Sequence, residues 1–383
     1  MTRILVVDDE PDLELLLRQK FRRKVRKGEV DLLFASNGVE ALEVLKANSD
    51  VDIVLSDINM PEMDGLTLLQ QINQLSLDLR AVIVTAYGDM RNIRTAMNRG
   101  AFDFVTKPID FDDLDVTIQR TMNNLQVMRD ALQSRDELVA LRQELGVAAK
   151  MQEAILPTTF PVDPAFELFA WMTPAKEVGG DFYDFFEVED GRQAVVVADV
   201  SGKGVPAALF MMVSRTLVKG TGLGDPDPGT CLREVNDLLC ESNEESMFVT
   251  MFFANLDKGS GRFRFANGGH NLPYVIRANG EIEAVVGETG LILGIVEGAE
   301  YQTGHIDLKP GDTVFMFTDG VTEAMNARDE LLGEAELEDI LAEAAGKGAA
   351  EIVRYVIKEL YEHVGHAPQS DDITCLALKY LGH

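Results

Sequence analysis

The chain has 383 residues, of which 46% are hydrophobic and 26% are charged, and its formal net charge at pH 7 is −29. That length exceeds one ordinary core, so we expect two domains and a connector in a soluble, globular protein. The basic residues cluster only at Lys20–Lys27, where a helix end is predicted, so the acidic chain is a poor candidate for binding DNA or an anionic membrane.

The cysteines and the short apolar runs indicate the cellular compartment in which the protein is expected. Cys231, Cys240 and Cys375 show no CxxC spacing, which fits a reducing cytosol and neither a disulfide framework nor a zinc site. The start, MTRILVVDDE, is unlike a secretory signal. No apolar stretch approaches the ~18 residues of a membrane span. We therefore expect a cytoplasmic protein without a membrane partner.

Residues 1–120 alternate short apolar runs with amphipathic segments. The runs ILVV, DLLFAS, VDIVLS, AVIVTA and DFVTK are typical of strands, and PDLELLLRQKFRRKV, GVEALEVLKAN, DGLTLLQQIN and DMRNIRTAMNRG have helical spacing. Apolar strands that alternate with helices indicate a parallel sheet covered on both faces, which is a doubly wound α/β fold. Sites in such sheets form at the carboxyl ends of the strands. The polar residues at these ends are Asp8, Asp9, Asp57, Thr85 and Lys107.

A long helix without proline is predicted from about Ile118 to Ile155. Apolar residues mark one seam up to Leu132 and a second from Leu138, a step one residue short of a heptad. One interpretation is a dimeric coiled coil. The alternative is a single helix that packs on its own domain. We place domain boundaries at 1–120, at 121–156 for the helical, coiled-coil linker, and at 157–383.

Residues 157–383 differ in pattern, beginning with prolines at 157, 161 and 164 that end the helix. Strand-like runs follow: FELFAWM, DFYDFFEV, QAVVVADV, FVTMFFANL, RFRFANGG, LPYVIRA, EIEAVV, TVFMFTDG and DITCLALKY. Two helical pairs are interposed, PAALFMMVSRTLVKG with CLREVNDLLCES, and LEDILAEAA with AEIVRYVIKELYEHV. Runs of strands and runs of helices indicate α+β layers.

The polar strand ends of the first domain would converge into an acidic pocket that contains a lysine and a hydroxyl. Such a pocket suits a phosphoryl group carried on a carboxylate, because a metal neutralises the aspartate and phosphate while lysine and threonine hold the oxygens. The motifs VVDDEP, SDINMPEMDG, VTAYGD and TKPID occur in this order. On these motifs, residues 1–120 resemble the receiver domain of two-component response regulators.

The resemblance implies that Asp57 accepts the phosphoryl group. It implies a Mg²⁺ ion held by Asp9, Asp57 and the carbonyl of Asn59, with support from Asp8. The implied switch residues are Thr85, Lys107 and, as an aromatic rotamer switch, Phe104. A degenerate receiver that serves only for packing is the alternative, and the intact polar positions disfavour it.

A second set of aspartates has no lysine partner and no Ser–His pairing. It lies in the motifs GGDFYD, ADVSGKG, FTDGVTEA and SDDIT. Carboxylates that are far apart in sequence can bridge two cations at ~3.5–4 Å and activate a shared water. On these four motifs in order, residues from about 168 to 380 resemble the PPM-type metal-dependent serine/threonine phosphatases, most closely the SpoIIE-like branch. The resemblance implies a β-sandwich flanked by helices.

By resemblance, Asp199 would bridge two Mn²⁺ or Mg²⁺ ions and the carbonyl of Val200 would assist. Asp181 would orient a metal-bound water. The remaining metal ligands would be Asp319 and one of the pair Asp371–Asp372, of which the family pattern favours Asp371. The chain lacks an obvious phosphate-binding arginine near the start of this domain, so phosphate binding would rely on the metals alone.

Two other motifs are weaker candidates for a site. SGKG at 201–204 suggests a phosphate loop, but Val197 stands where the first P-loop glycine would fall. His270 in NGGHN is interpreted as a turn residue that supports the site rather than as a metal ligand.

Together the two halves predict a response regulator whose output is protein dephosphorylation. A sensor histidine kinase would phosphorylate Asp57, and the connecting helix would carry the change to the helix around Pro206–Lys219 in a homodimer. The resemblance implies a phosphorylated anti-sigma-factor antagonist as substrate. An alternative is a phosphatase-fold adaptor without catalysis, which predicts missing carboxylates. A DNA-binding regulator is disfavoured by the charge and by the absence of a C-terminal helix-turn-helix motif.

Overall fold

The computed structural model describes residues 1–382 except 76–77, 87–88, 225–226 and 242. Its internal contacts divide the chain into two compact units, Met1–Ala140 and Leu141–His383. The predicted motif VTAYGD runs into Tyr87 and Gly88, which lie outside the described residues. Among the helices that the model describes, none has the length and apolar character needed to cross a membrane.

The first unit alternates strands and helices in the predicted order. Its strands form one parallel sheet in the order β2-β1-β3-β4-β5, so the predicted five-stranded fold is confirmed. The strands are β1 (Thr2–Val7), β2 (Val30–Ala35), β3 (Ile53–Asp57), β4 (Arg80–Ala86) and β5 (Asp103–Lys107). The helices are α1 (Pro11–Lys20), α2 (Arg22–Arg26), α3 (Gly38–Ala47), α4 (Gly65–Gln74), α5 (Met90–Asn98) and α6 (Phe111–Ile155).

Side-chain alternation along β1 explains why helices cover both faces of this sheet. Ile4 and Val6 pack into one cluster of buried residues, whereas Leu5 and Val7 pack into another. Successive side chains of a strand point to opposite faces, so an apolar run buries both of them.

The start of α4 is fixed against the end of β3. The side chain of Asp64 caps the helix by accepting a hydrogen bond from the Thr67 amide at 2.6 Å. A Cβ atom on Gly65 would lie 2.0 Å from the carbonyl oxygen of Asp57. Only glycine permits this close approach, which is why the motif MDG follows Asp57.

Helix α6 begins at Phe111, seven residues before the predicted start at Ile118, and its first half packs on the first unit. Leu125 is fully buried, and the guanidinium of Arg129 donates to Asp52 at 2.7 Å. The predicted boundary at 120 therefore lies inside a packed segment, and the contact division comes after Ala140. Beyond this segment many of the apolar residues are exposed, among them Leu132, Leu138, Leu141, Val147 and Met151.

The second unit contains the predicted strands and helical pairs. Its strands are β6 (Phe166–Thr173), β7 (Phe182–Glu187), β8 (Gln193–Val200), β9 (Val249–Leu256), β10 (Arg262–Gly268), β11 (Tyr274–Ile276), β12 (Ile282–Ala284), β13 (Thr289–Gly290), β14 (Gly304–Asp307), β15 (Thr313–Phe317) and β16 (Ile373–Tyr380). Its helices are α7 (Val205–Gly224), α8 (Pro228–Cys240), α9 (Asp319–Thr322), α10 (Gly333–Glu343) and α11 (Ala349–Val364). The short elements β13, β14 and α9 were not predicted.

Two sheets and two helical layers make up this unit. One sheet has the order β13-β10-β9-β8-β7 with β14 beside β10, and the other has the order β12-β11-β15-β16-β6. Leu376 and Leu378 of β16 join the core between the sheets and the α7–α8 layer, whereas Cys375 and Ala377 face α10 and α11. The alternation within one strand therefore builds the predicted β-sandwich flanked by helices.

Candidate functional site

The receiver-like pocket lies at the carboxyl ends of β1, β3 and β5. The ammonium of Lys107 lies 2.7 Å from Asp57 Oδ2, 2.9 Å from Asp8 Oδ2 and 3.0 Å from Glu10 Oε1. Asp57 Oδ1 accepts hydrogen bonds from the amides of Ile58 at 2.6 Å and Asn59 at 3.4 Å. Parallel strand ends meet at one edge of a sheet, so three separate segments converge here.

Charge and burial shift the pKa values of Asp8 and Lys107 in opposite directions. Burial raises the pKa of Asp8, although Lys107 partly offsets the effect. Burial lowers the pKa of Lys107, but its hydrogen bonds to Asp57, Asp8 and Glu10 outweigh that effect and raise the pKa overall. The lysine therefore stays charged beside the carboxylates.

The carboxylates of this pocket fit a single hard cation. One oxygen each of Asp8, Asp9 and Asp57 lies within 4.8 Å of the others, and oxygen is the ligand that Mg²⁺ prefers. Thr85 Oγ1 is fully buried and has no hydrogen-bond partner among the residues that the structure describes. A buried hydroxyl without a partner is costly, so Thr85 Oγ1 is typical of a group that binds a ligand.

Phe104 on β5, the predicted aromatic switch, is 37% exposed.

The second set of aspartates gathers at one end of the sandwich. Asp199 is near the end of β8 and Asp319 follows β15, whereas Asp181 precedes β7 and Asp371–Asp372 precede β16. In antiparallel pairs the start of one strand lies beside the end of its neighbour, and β7 pairs with β8 as β15 pairs with β16. The topology thus brings these residues to the same edge.

Asp181 is almost completely buried and is held by two hydroxyls. Thr318 and Thr374 each donate to its Oδ2 at 2.7 Å. Burial raises its pKa, and the charges of Asp199 and Asp372 raise it further. Neither threonine was predicted, although both lie within the quoted motifs FTDGVTEA and SDDIT.

The side chain of Asp372 is occupied by the backbone of the segment before β7. Its Oδ1 accepts from the amide of Ala175 at 2.7 Å, and its Oδ2 accepts from the amides of Gly180 at 2.6 Å and Asp181 at 3.4 Å. Asp371 instead lies 2.8 Å from the ammonium of Lys203, so the expectation that this set has no lysine partner is wrong. The two neighbours thus have different surroundings, which their adjacency in sequence did not reveal.

Burial and nearby negative charge raise the pKa values of Asp199 and Asp319. Burial raises the pKa of Asp199 to about 7, and the nearby charge of Asp319 contributes to this shift. Burial also raises the pKa of Asp319, with contributions from Glu323 and Asp371. Such a cluster suits divalent cations, whose charge would stabilise the ionised carboxylates. Glu323 was not predicted as part of the cluster.

These carboxylates are more widely spaced than those of the receiver-like pocket. Among the described residues, no three of them place an oxygen each within 4.8 Å of one another. This spacing fits ligands shared between two cations, each of which keeps several waters, better than a single closed cage.

His270 supports the site through its contact with Thr250. It is fully buried, and its Nδ1 lies 2.7 Å from Thr250 Oγ1, which pairs across the sheet with Asp199. Asn267 holds the turn by accepting from the His270 amide at 2.7 Å. Burial lowers the pKa of His270 to about 4, so the ring is neutral at pH 7. This geometry agrees with the interpretation of His270 as a supporting turn residue.

Gln152 also belongs to this environment, although no sequence pattern indicated it. It lies in the last turn of α6 and is 5% exposed. Its amide nitrogen donates to the carbonyl of Gly179 at 2.6 Å, and its amide oxygen accepts from the Gly179 amide at 3.0 Å. The end of the long helix is thereby tied to the segment that carries Asp181.

Comparison with known proteins identifies both units. Residues 4–119 match the response regulator receiver domain, and residues 189–381, half of the chain, match the family of stage II sporulation protein E, SpoIIE. The chain belongs to the SpoIIE family. The predicted combination of a receiver domain and a SpoIIE-like, PPM-type phosphatase domain is therefore confirmed.

Two curated relatives and one solved structure give the extent of the similarity. Protein IcfG of Synechocystis sp. is 30% identical over 265 residues, which are 62% of this SpoIIE-family chain and 41% of IcfG. Phosphoserine phosphatase RsbU of Bacillus subtilis is 28% identical over 239 residues, 62% of this chain and 70% of RsbU. The SiaA-PP2C domain of Pseudomonas aeruginosa has 25% identity and a TM-score of 0.57, covering 63% of this chain and 98% of that domain. The chain thus spans about two fifths of the length of IcfG.

Proposed function

We propose that this chain is a response regulator whose output is metal-dependent hydrolysis of phosphoserine or phosphothreonine on another protein. The observation that carries the proposal is the cluster of Asp199, Asp319 and Asp371 at one end of the sandwich, where burial and like charge raise the pKa of the first two. Carboxylates gathered at such a cost require a compensating cation.

Two divalent ions, Mg²⁺ or Mn²⁺, would be held by Asp199, the carbonyl of Val200, Asp319 and Asp371. When bound, they supply Lewis-acid stabilisation of the phosphoryl oxygens and lower the pKa of water. Asp371 is the proposed ligand rather than Asp372, because Asp372 already accepts three backbone hydrogen bonds. The role of Asp372 is to fix the segment that carries Asp181.

Asp181 is the proposed residue that orients the attacking water. Thr318 and Thr374 fix one of its oxygens, so the carboxyl group can turn little. Burial raises its pKa, and the nearby charge of Asp199 raises it further.

The receiver domain would store the signal on Asp57. A sensor histidine kinase is the proposed donor, and a Mg²⁺ ion would be held by Asp9, Asp57 and the carbonyl of Asn59, with Asp8 in support. Lys107 lies 2.7 Å from Asp57, where its ammonium can hold a phosphoryl oxygen. The hydroxyl of Thr85, which has no hydrogen-bond partner among the described residues, can hold another.

The connecting helix would carry the signal between dimer subunits and domains. Exposed apolar side chains along α6 beyond the segment that packs on the first unit, such as Leu138, Leu141 and Met151, support a homodimeric coiled coil within the linker predicted at 121–156. The hydrogen bonds from Gln152 to Gly179 offer a route from α6 to the segment of Asp181. Helix α7, which follows the Asp199 loop directly, is the proposed element that switches.

The proposed substrate is a phosphorylated anti-sigma-factor antagonist. The similarity to RsbU, which is named a phosphoserine phosphatase, supports hydrolysis of phosphoserine. The adaptor alternative predicts the loss of carboxylates from the second set, and all of them are present in this chain.

Hydrolysis of an aryl phosphate in the presence of Mn²⁺ tests the proposal. We expect the wild-type protein to hydrolyse it only with the metal and the Asp319→Asn protein to be nearly inactive, whereas Asp307→Asn, an exposed change on β14, should retain activity. Metal-independent hydrolysis, or equal rates for wild type and Asp319→Asn, would contradict the proposal. A wild type that remains inactive even with an activated receiver would favour the adaptor.

A further inference from the structure

A lysine lies among the carboxylates of the phosphatase domain. Lys203 belongs to the loop between β8 and α7, and its ammonium lies 2.8 Å from Asp371 Oδ2 and donates to the Ser370 carbonyl at 2.5 Å. Gly202 and Gly204 on either side have φ angles of 84° and 81°. These left-handed conformations favour glycine, so the loop is shaped to present the side chain between them.

The charge of Lys203 acts on the catalytic cluster itself. Burial lowers its pKa, but the hydrogen bond to Asp371 and the charges of Asp372 and Asp319 outweigh burial and raise it. In turn the charge of Lys203 partly offsets the rise in the pKa of Asp319 that burial and the neighbouring carboxylates cause. A charged ammonium therefore lies where the cluster would meet its substrate.

The lysine is also accessible from outside. Its side chain is 36% exposed, and it lines a groove of about 1110 Å³ together with Ser201, Phe210 and Met247. A phosphorylated side chain that enters along this groove would meet the ammonium before or together with Asp371. Exposure also leaves the flexible lysine stem free to turn from the carboxylate to a new partner.

We propose that Lys203 binds the phosphoryl oxygens of the substrate and of the released phosphate. The proposal rests on the phosphatase function proposed above. A phosphate dianion is repelled by clustered carboxylates, and an ammonium offers a charge-assisted hydrogen bond that favours it. The sequence shows no obvious phosphate-binding arginine, so phosphate binding was expected to rely on the metals alone. Lys203 would supply the missing cationic side chain.

Binding of inorganic phosphate measures this role without turnover. All proteins carry Asp57→Asn, which weakens metal binding at the receiver, and are saturated with Mg²⁺ before calorimetric titration with phosphate. We expect Lys203→Gln to weaken phosphate binding by about tenfold or more, as for the loss of a hydrogen bond to a charged group. Lys203→Arg should restore most of the affinity. The matched control, Lys309→Gln, removes the same charge at an exposed position and should have no effect.

A second titration, with Mg²⁺ alone, separates phosphate binding from support of Asp371. We expect Lys203→Gln to bind Mg²⁺ at least as tightly as its parent, because a cation that competes for Asp371 has been removed. Unchanged phosphate affinity in Lys203→Gln would overturn the proposal, as would a parallel loss of Mg²⁺ affinity. If phosphate binding depends on Lys203 but the wild type hydrolyses no phosphate ester, the phosphate site stands and the proposed hydrolytic function fails.

Discussion

Replacing Gln152 with leucine removes both hydrogen bonds that hold Gly179 while keeping a side chain of similar size. The amide and carbonyl of Gly179 would remain buried without partners, at a cost of about 1–3 kcal/mol each. We therefore expect the free energy of unfolding of the phosphatase domain to fall by about 3 kcal/mol. Hydrolysis should slow as well, because Gly179 adjoins the segment of Asp181.

The single tryptophan of the chain makes the measurement specific to this domain. Trp171 lies on β6, where it pairs with Cys375 of β16, so its fluorescence during urea unfolding follows the phosphatase domain. The matched control is Gln133→Leu, which changes an exposed glutamine of the same helix and should alter stability by less than about 0.5 kcal/mol. Equal stabilities for the two variants would refute the argument that Gln152 fixes Gly179.

Three further predictions follow from buried groups. Burial lowers the pKa of His270 to about 4, below about 6.5 in the unfolded chain, so the unfolded state takes up the proton first as the pH falls. Wild type should lose about 2 kcal/mol of stability between pH 7 and pH 5 that His270→Gln does not lose, as urea titrations followed by Trp fluorescence would report. Gly65→Ala should destabilise the receiver domain by about 2 kcal/mol or more in thermal unfolding, because its Cβ meets the Asp57 carbonyl; an unchanged midpoint would contradict this. Asp371→Asn should weaken Mn²⁺ binding by at least about tenfold, whereas Asp372→Asn should chiefly reduce stability. If calorimetric titration instead shows the larger loss of Mn²⁺ affinity in Asp372→Asn, the roles of the two residues are exchanged.

The receiver pocket was predictable because its geometry follows from strand order. In a parallel sheet all carboxyl ends lie at one edge, so polar residues after successive apolar runs must converge. The structure brings Asp57, Lys107 and Asp8 together as that rule requires. The extra residue Glu10, which also contacts Lys107, lies within the motif VVDDEP but was not singled out.

The phosphatase site was predictable only in outline. Its four motifs indicated the aspartates, but adjacent residues such as Asp371 and Asp372 are distinguished only by the direction of their side chains in a loop. Lys203 was considered only as part of a phosphate loop. Gln152 lies in a helix whose polar residues are mostly exposed, so no local pattern indicated its burial.

Short elements were missed for a different reason. Strand β13 has two residues and depends on pairing with β10, and β14 alternates half-buried and exposed positions too briefly to show a pattern. Such strands are stabilised by their neighbours in the sheet rather than by their own sequence.

The central claim is that Asp57 controls hydrolysis at the second set of aspartates. The most direct test is the Mn²⁺-dependent rate of aryl phosphate hydrolysis with and without beryllofluoride, which mimics a phosphorylated aspartate, in wild type and in Asp57→Asn. The account predicts that beryllofluoride changes the wild-type rate and leaves the Asp57→Asn rate unchanged. Equal rates for beryllofluoride-treated wild type and for Asp57→Asn would contradict it.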